Sequence, residues 1–217
     1  FITADKTECS VCNVGQYQDQ DDQSSCKDNC DAGFSIIADK SACSVCNVGQ
    51  YQDQDDQSSC KPCAIGKYND LTGQTAETAC SICNVGQYQD QDDQSSCKDN
   101  CGAGSYITAD KTACSVCNVG QYQDQDDQSS CKDDCNAGSY INSGRTACSV
   151  CDIGQWQDQE NESDCKSCET GKYFDPTLTE QTKISNSFCK TCESGKEPTG
   201  DQKACVPIGE QAIVFSE

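Results

Sequence analysis

Asn13-Val14-Gly15-Gln16-Tyr17-Gln18-Asp19-Gln20-Asp21-Asp22-Gln23-Ser24-Ser25-Cys26-Lys27 recurs without change from Asn47, Asn84 and Asn118, and a weaker copy starts at Asp152. Self-similarity at a fixed period marks an array in which each unit packs mainly on its neighbours. More variable stretches separate the copies, beginning at Asp31-Ala32-Gly33, Ala64-Ile65-Gly66 and Gly102-Ala103-Gly104, so two loop types alternate. Cys9 to Cys43 spans 34 residues, Cys43 to Cys80 spans 37 and Cys148 to Cys189 spans 41, with each surplus held in one variable loop. Insertions confined to loops fit a quasi-linear array.

The elementary unit is smaller: a cysteine, two residues, a glycine, one residue, usually an aromatic, then a run to the next cysteine. Eleven such units fit, and all eleven carry the glycine, from Gly15 and Gly33 through to Gly195. A turn that needs positive φ accounts for it. Nine units place an aromatic two residues after the glycine, Tyr17, Tyr51 and Trp156 among them; Phe34 sits one place early and Glu197 takes the last position. No other bulky apolar group recurs there, so each ring is expected to cover a neighbouring disulfide as a local miniature core, not to bind a ligand.

Composition agrees with covalent closure. Of 217 residues only 34% are hydrophobic, with 23 cysteines counted among them, and Leu occurs only at Leu71 and Leu178. Ordering costs about 1–2 kcal/mol per residue, which so thin an apolar content does not offset. Cysteine at this density is the composition of a disulfide scaffold in an oxidising, extracellular setting. The net charge of −21 leaves no basic stripe for nucleic acid. The longest apolar run, Ala212-Ile213-Val214-Phe215, is far short of the roughly 20 residues that span a bilayer, so no membrane contact is expected in this segment.

Connectivity among so many cysteines does not follow from sequence alone. One scheme pairs the cysteine before each glycine with the cysteine ending that loop: Cys12 with Cys26, Cys30 with Cys43, Cys46 with Cys60, Cys63 with Cys80, Cys83 with Cys97 and Cys101 with Cys114. It continues with Cys117 and Cys131, Cys135 and Cys148, Cys151 and Cys165, Cys168 and Cys189, and Cys192 and Cys205. Only Cys9 remains, and by register its partner is expected upstream of Phe1, inside a longer array. A second scheme crosses the pairs, Cys9 with Cys26 and Cys12 with Cys30 onward, and strands Cys192. Closing a loop of roughly 15 residues contributes about 3 kcal/mol in the chain-entropy picture.

The run Cys12-Asn13-Val14-Gly15-Gln16-Tyr17 through Cys26-Lys27 resembles the ephrin-receptor-like cysteine-rich repeat and, more distantly, the cysteine-rich modules of tumour necrosis factor receptors. Cys60-Lys61-Pro62-Cys63-Ala64-Ile65-Gly66-Lys67-Tyr68 is the best match, and the resemblance covers residues 9 to 205. It implies ladders of short β-hairpins and irregular loops, each loop closed by its own bridge, as in receptor ectodomains, adhesion proteins and long surface proteins. The near-identity of the repeats departs from receptors, whose ligand sites depend on modules that differ.

No histidine is present, and the carboxylates lie in repeated polar loops with nothing to shift their pKa, so no catalysis is expected. Cys9, Cys12, Cys26 and Cys30 have spacing compatible with zinc, but the extracellular composition favours disulfides. Asp19, Asp21 and Asp22, with their counterparts Asp53, Asp55, Asp56 and so on, are weak calcium candidates because the stretch lacks a sharp-turn glycine. The competing reading is a solvated acidic loop that keeps neighbouring arrays soluble. Asn161-Glu162-Ser163 is the single N-glycosylation sequon and falls at the position of Asp22 in the weaker copy.

The expected fold is therefore small disulfide-rich repeats in an elongated tandem array of short β-hairpins and irregular loops with little or no helix. Residues 1–8 are the tail of an upstream repeat and 9–205 the repeats. Residues 206–217 are a β-strand-like segment that starts a next domain or pairs with another subunit. The leading functional expectation is a structural subunit or spacer of an extracellular filament, appendage or coat, partnered by copies of itself or other structural proteins. The alternative is a receptor or adhesion ectodomain that binds a protein ligand through its variable loops, especially Thr177 to Ser187.

Overall fold

The computed structural model describes residues 1–3, 8–28, 30–174, 183–200 and 202–209. Ala212–Phe215 and Thr177–Thr182, to which the sequence attaches an intersubunit strand and a ligand loop, lie outside the described residues. The chain divides into two compact units, Phe1–Asn100 with Ile107–Cys114, and Cys101–Tyr106 with Ser115–Glu217.

Every strand belongs to a two-stranded sheet. In the first unit β1 (Phe34–Ile36) pairs with β2 (Cys43–Val45), β3 (Gln50–Tyr51) with β4 (Lys61–Pro62), and β5 (Lys67–Tyr68) with β6 (Ser81–Ile82), all antiparallel. Then come β7 (Ser105–Ile107) and β8 (Cys114–Val116), which form one further sheet. In the second unit β9 (Ser139–Ile141) pairs with β10 (Cys148–Val150), and β11 (Gln155–Trp156) with β12 (Lys166–Ser167). The last hairpins are β13 (Lys172–Phe174) with β14 (Cys189–Thr191) and β15 (Lys196–Pro198) with β16 (Cys205–Pro207). Val206 and Pro207 thus close the final hairpin. Helix is confined, among the described residues, to single 3₁₀ turns at Glu77–Ala79 and Asn186–Phe188. The protein is a tandem arrangement of small disulfide-rich hairpins.

Each unit opens on a four-residue turn. In the second, Phe34 N–H donates to the Asp31 carbonyl at 3.1 Å, and Gly33, third in the turn, has φ +87°. That is the position where a type II turn demands positive φ. The turn sends a strand outward, and a bridge returns the chain. Bridges join Cys12–Cys26, Cys30–Cys43, Cys46–Cys60, Cys63–Cys80 and Cys83–Cys97 in the first unit. In the second they join Cys117–Cys131, Cys135–Cys148, Cys151–Cys165, Cys168–Cys189 and Cys192–Cys205. Cys101 and Cys114 are disulfide-bonded too, and Cys9 is exposed and unbridged among the described residues.

Successive loops are stitched by backbone hydrogen bonds. Gly33 N–H donates to the Gln52 carbonyl at 2.8 Å, Gln52 N–H donates to the Gln74 carbonyl at 2.9 Å, and Cys46 N–H returns to the Gly33 carbonyl at 2.9 Å. The same bonds recur as Gly138 to Gln157 and Gln157 to Lys183.

The buried position differs from the one expected. Apart from Tyr122, the aromatics two residues after the glycine are only half-buried. The residue one place further on is the one that goes inside: Gln52, Gln89, Gln123 and Gln157 in the acidic copies, Asn69 in the loop between Cys63 and Cys80, and Ile36, Ile107, Ile141 and Phe174 elsewhere. A bulky apolar group therefore does recur, against expectation, but at a position that an amide fills in alternate loops. The amides satisfy their own chemistry: Gln52 Nε2 donates to the Ser59 carbonyl at 2.6 Å and its Oε1 accepts from Gln54 N–H at 3.2 Å. Among the described residues no buried side-chain nitrogen or oxygen lacks a partner, which is the condition for tolerating buried amides at all.

Candidate functional site

The three loop positions held by Asp53, Asp55 and Asp56 do three different things. The first holds a lysine across the hairpin: Asp53 Oδ1 accepts from Lys61 Nζ at 2.5 Å, Asp124 from Lys132 at 2.6 Å and Asp158 from Lys166 at 2.5 Å. Asp19 pairs with Lys27 and Asp90 with Lys98 in the same way. The ammonium also stands over the aromatic ring, 5.9 Å from the Tyr51 centroid and 4.9 Å from that of Trp156, within cation–π range. Among the half-buried rings, Tyr17, Tyr51 and Trp156 each thus sit beneath a lysine ammonium.

Hydrogen bonding from these lysines holds Asp19, Asp53, Asp90, Asp124 and Asp158 below the ordinary aspartate pKa of 3.8. A carboxyl whose folded pKa is depressed contributes stability that is full above its unfolded pKa and lost as pH falls through the folded one. Carbon-13 NMR titration is therefore expected to place these five carboxyl midpoints below that of an unpaired aspartate, with the lysine contacts released only as pH falls below the ordinary aspartate range. Since all five are exposed, the effect on global stability is small.

The second and third aspartates reach into the preceding loop. Asp55 Oδ1 accepts from Ala32 N–H at 2.9 Å, Asp92 from Ile65 N–H at 2.9 Å and Asp126 from Ala103 N–H at 2.8 Å. Asp56 Oδ1 accepts from Cys30 N–H at 2.8 Å while its own N–H donates to the Cys30 carbonyl at 2.7 Å. This corrects the picture of merely solvated loops: the acids cap backbone donors of the neighbouring turn. Oxygens used in this way are poor candidates for a calcium cage, and among the described residues no group of three or more acidic or sulfur ligands is arranged to hold a metal. Asp21 and Asp22 occupy the same two positions in the first copy, Asp22 with φ +58° as at Asp56.

A second set of cations is also consumed internally. Lys40 Nζ donates to the Cys12 carbonyl at 2.5 Å, and Lys111, Arg145 and Lys183 do the same to Cys83, Cys117 and Cys151. Nothing in composition marks these residues, because the acceptor is a backbone carbonyl 28 or 32 positions away.

What remains outward is aliphatic and acidic. Val14 is 87% exposed, Val85 85% and Val119 79%, each the second residue of its turn. Val11, Ile82 and Val116, just before the cysteine that precedes the turn, are exposed as well, while Cys46, Cys83 and Cys117 at that point are buried. The acidic loop of the next copy adjoins some of these turns: Gln50 Nε2 donates to Asp93 Oδ2 at 3.1 Å beside Val48, and Asp92 caps Ile65 itself. Within the first unit the exposed Val48 and Ile65 thus flank one pair of aspartates.

Hairpins of this kind, closed by one bridge each and repeated in tandem, define a cysteine-rich repeat module of an extracellular or cell-surface protein. Residues 33–80 and 138–183 match the family described as tyrosine-protein kinase ephrin type A/B receptor-like, so these two stretches are similar to ephrin-receptor-like cysteine-rich repeats. Such repeats are non-catalytic ectodomain modules. No curated protein matches the chain. Among the described residues no helix is long and apolar enough to cross a membrane.

Proposed function

We propose that this chain is part of a receptor or adhesion ectodomain that binds a protein ligand through its repeated aliphatic turns. The observation that carries the reading is the match of two stretches to ephrin-receptor-like repeats. The comparisons lend no support to a filament or coat subunit, the leading expectation from sequence. The surface gives the reading its chemistry. Exposed Val and Ile beside aspartates suit a ligand face that is basic and carries apolar side chains, since cations such as Lys40, Lys61 and Arg145 are tied down within the protein. Several equivalent turns would bind by avidity, so no single turn needs high affinity.

The test is binding of the secreted chain to an array of purified extracellular proteins, followed by measurement on each hit with Val48→Ser and Val85→Ser together. The expected result is a basic ligand whose affinity falls at least about tenfold in the double variant and weakens with salt. Regular filaments of the secreted protein under the electron microscope, with no binding partner on the array, would return the reading to a structural polymer.

A further inference from the structure

In the fifth acidic loop an amide replaces the carboxylate that caps the preceding cysteine. Asn161 stands where Asp22, Asp56, Asp93 and Asp127 stand. Its backbone takes the same left-handed conformation, φ +61° against +58° at Asp56 and +59° at Asp127. It makes the same two bonds to the preceding loop: Oδ1 accepts from Cys135 N–H at 2.9 Å, and its N–H donates to the Cys135 carbonyl at 2.8 Å. The cap uses one side-chain oxygen only. In the aspartate copies the other terminal atom is a second oxygen, whereas here it is the amide nitrogen Nδ2, for which no hydrogen-bond partner is found among the described residues.

Asn161 itself is half-buried, and several of its neighbours face solvent. Gln159, Glu160, Ser163 and Asp164 are exposed, and the Ser163 hydroxyl lies two residues on from Asn161, as a sequon requires. We infer that Asn161 is an N-glycosylation site whose side chain serves twice, Oδ1 capping Cys135 and Nδ2 carrying the glycan. The donor is an oligosaccharide linked through pyrophosphate to a lipid. Nδ2 attacks the anomeric carbon, the bond from that carbon to the phosphate oxygen breaks, the lipid pyrophosphate leaves with the electron pair, and Nδ2 gives up one proton. The product is still an amide with its carbonyl oxygen intact, so the acceptor that Cys135 uses survives the reaction. Aspartate at the equivalent position supplies the cap and cannot be modified in this way, which restricts the glycan to one copy of five.

The experiment is secretion of the full chain from animal cells, with intact mass before and after peptide N-glycosidase and hydrogen exchange at the Cys135 amide. Wild type is expected to lose mass on digestion with conversion of Asn161 to Asp, and Ser163→Ala and Asn161→Asp to show neither change. Those two variants keep Cys135 protected, while in Asn161→Ala its exchange accelerates at least tenfold. A wild-type mass unaffected by the enzyme overturns the modification. Equal Cys135 exchange in Asn161→Ala and Ser163→Ala overturns the double role. Neither outcome bears on ligand binding.

Discussion

Reduction of the bridges under non-denaturing conditions at 25 °C collapses the amide NMR spectrum of the whole chain to that of an unfolded polymer. Each closed loop contributes about 3 kcal/mol by restricting the unfolded chain, and little else is available to replace it. Beyond cysteine, the buried apolar side chains among the described residues are Ile36, Ile107, Tyr122, Ile141 and Phe174. At about 1.5–3 kcal/mol each, these cannot offset an ordering cost of about 1–2 kcal/mol for every residue. The buried glutamines add little net energy, because their hydrogen bonds replace ones made to water. Removing a single pair, Cys46→Ser with Cys60→Ser, is expected to release the loop between them and the neighbours that hydrogen-bond to it. Amide dispersion that survives full reduction would show that inter-loop bonding alone sustains the fold.

Gly33→Ala is expected to destabilise its loop by about 2–5 kcal/mol, read from native-state hydrogen exchange at the Cys46 and Gln52 amides. Two costs add. Alanine at φ +87° is strained by about 1–2 kcal/mol. Its methyl carbon would also lie 2.5 Å from the Gly73 carbonyl oxygen and 3.3 Å from Thr75 Cγ2, an overpacking worth about 1–3 kcal/mol. Relief by movement is blocked, since Gly73 N–H is held by the Cys46 carbonyl at 2.8 Å and Gly33 is bonded at both its N–H and its carbonyl. Gly15→Ala separates the two costs. There φ is +83° and the nearest atom, the Asp56 carbonyl oxygen, would sit at 3.5 Å, an ordinary contact, so only the strain of about 1–2 kcal/mol remains. Equal losses at the two positions would mean that the close approach of the Gly73 loop contributes nothing.

The glycine illustrates how a residue legible in the sequence acquires a second reason in three dimensions. Its recurrence three places after a cysteine announces a positive-φ turn, because no other residue takes that conformation without cost. That the same glycine also faces a loop some 40 residues further along, as Gly33 faces Gly73, is invisible without the fold. The acidic stretch is a stronger case. Asp53, Asp55 and Asp56 look alike on paper, yet one binds a lysine, one caps Ala32 and one caps Cys30. The candidate ligand surface is illegible in the sequence for a related reason: Val48 and Ile65 are isolated apolar residues in polar runs, and only packing beside Asp92 and Asp93 brings them together.

Sequence alone determined the covalent and local architecture: bridge-dense hairpins, a turn at each Cys-x-x-Gly, almost no helix and an extracellular setting. These follow from short-range causes, the backbone freedom of glycine, the reach of a disulfide and the scarcity of apolar side chains. Tertiary structure alone decided which residues of the polar run go inside. Gln52 is buried and Asp53 exposed because the Gly33 and Gln74 backbone groups meet the chain at residue 52. Partners that are backbone N–H and C=O groups leave no periodicity in side-chain type, since every residue carries them; only the docking of one loop on the next selects which are used.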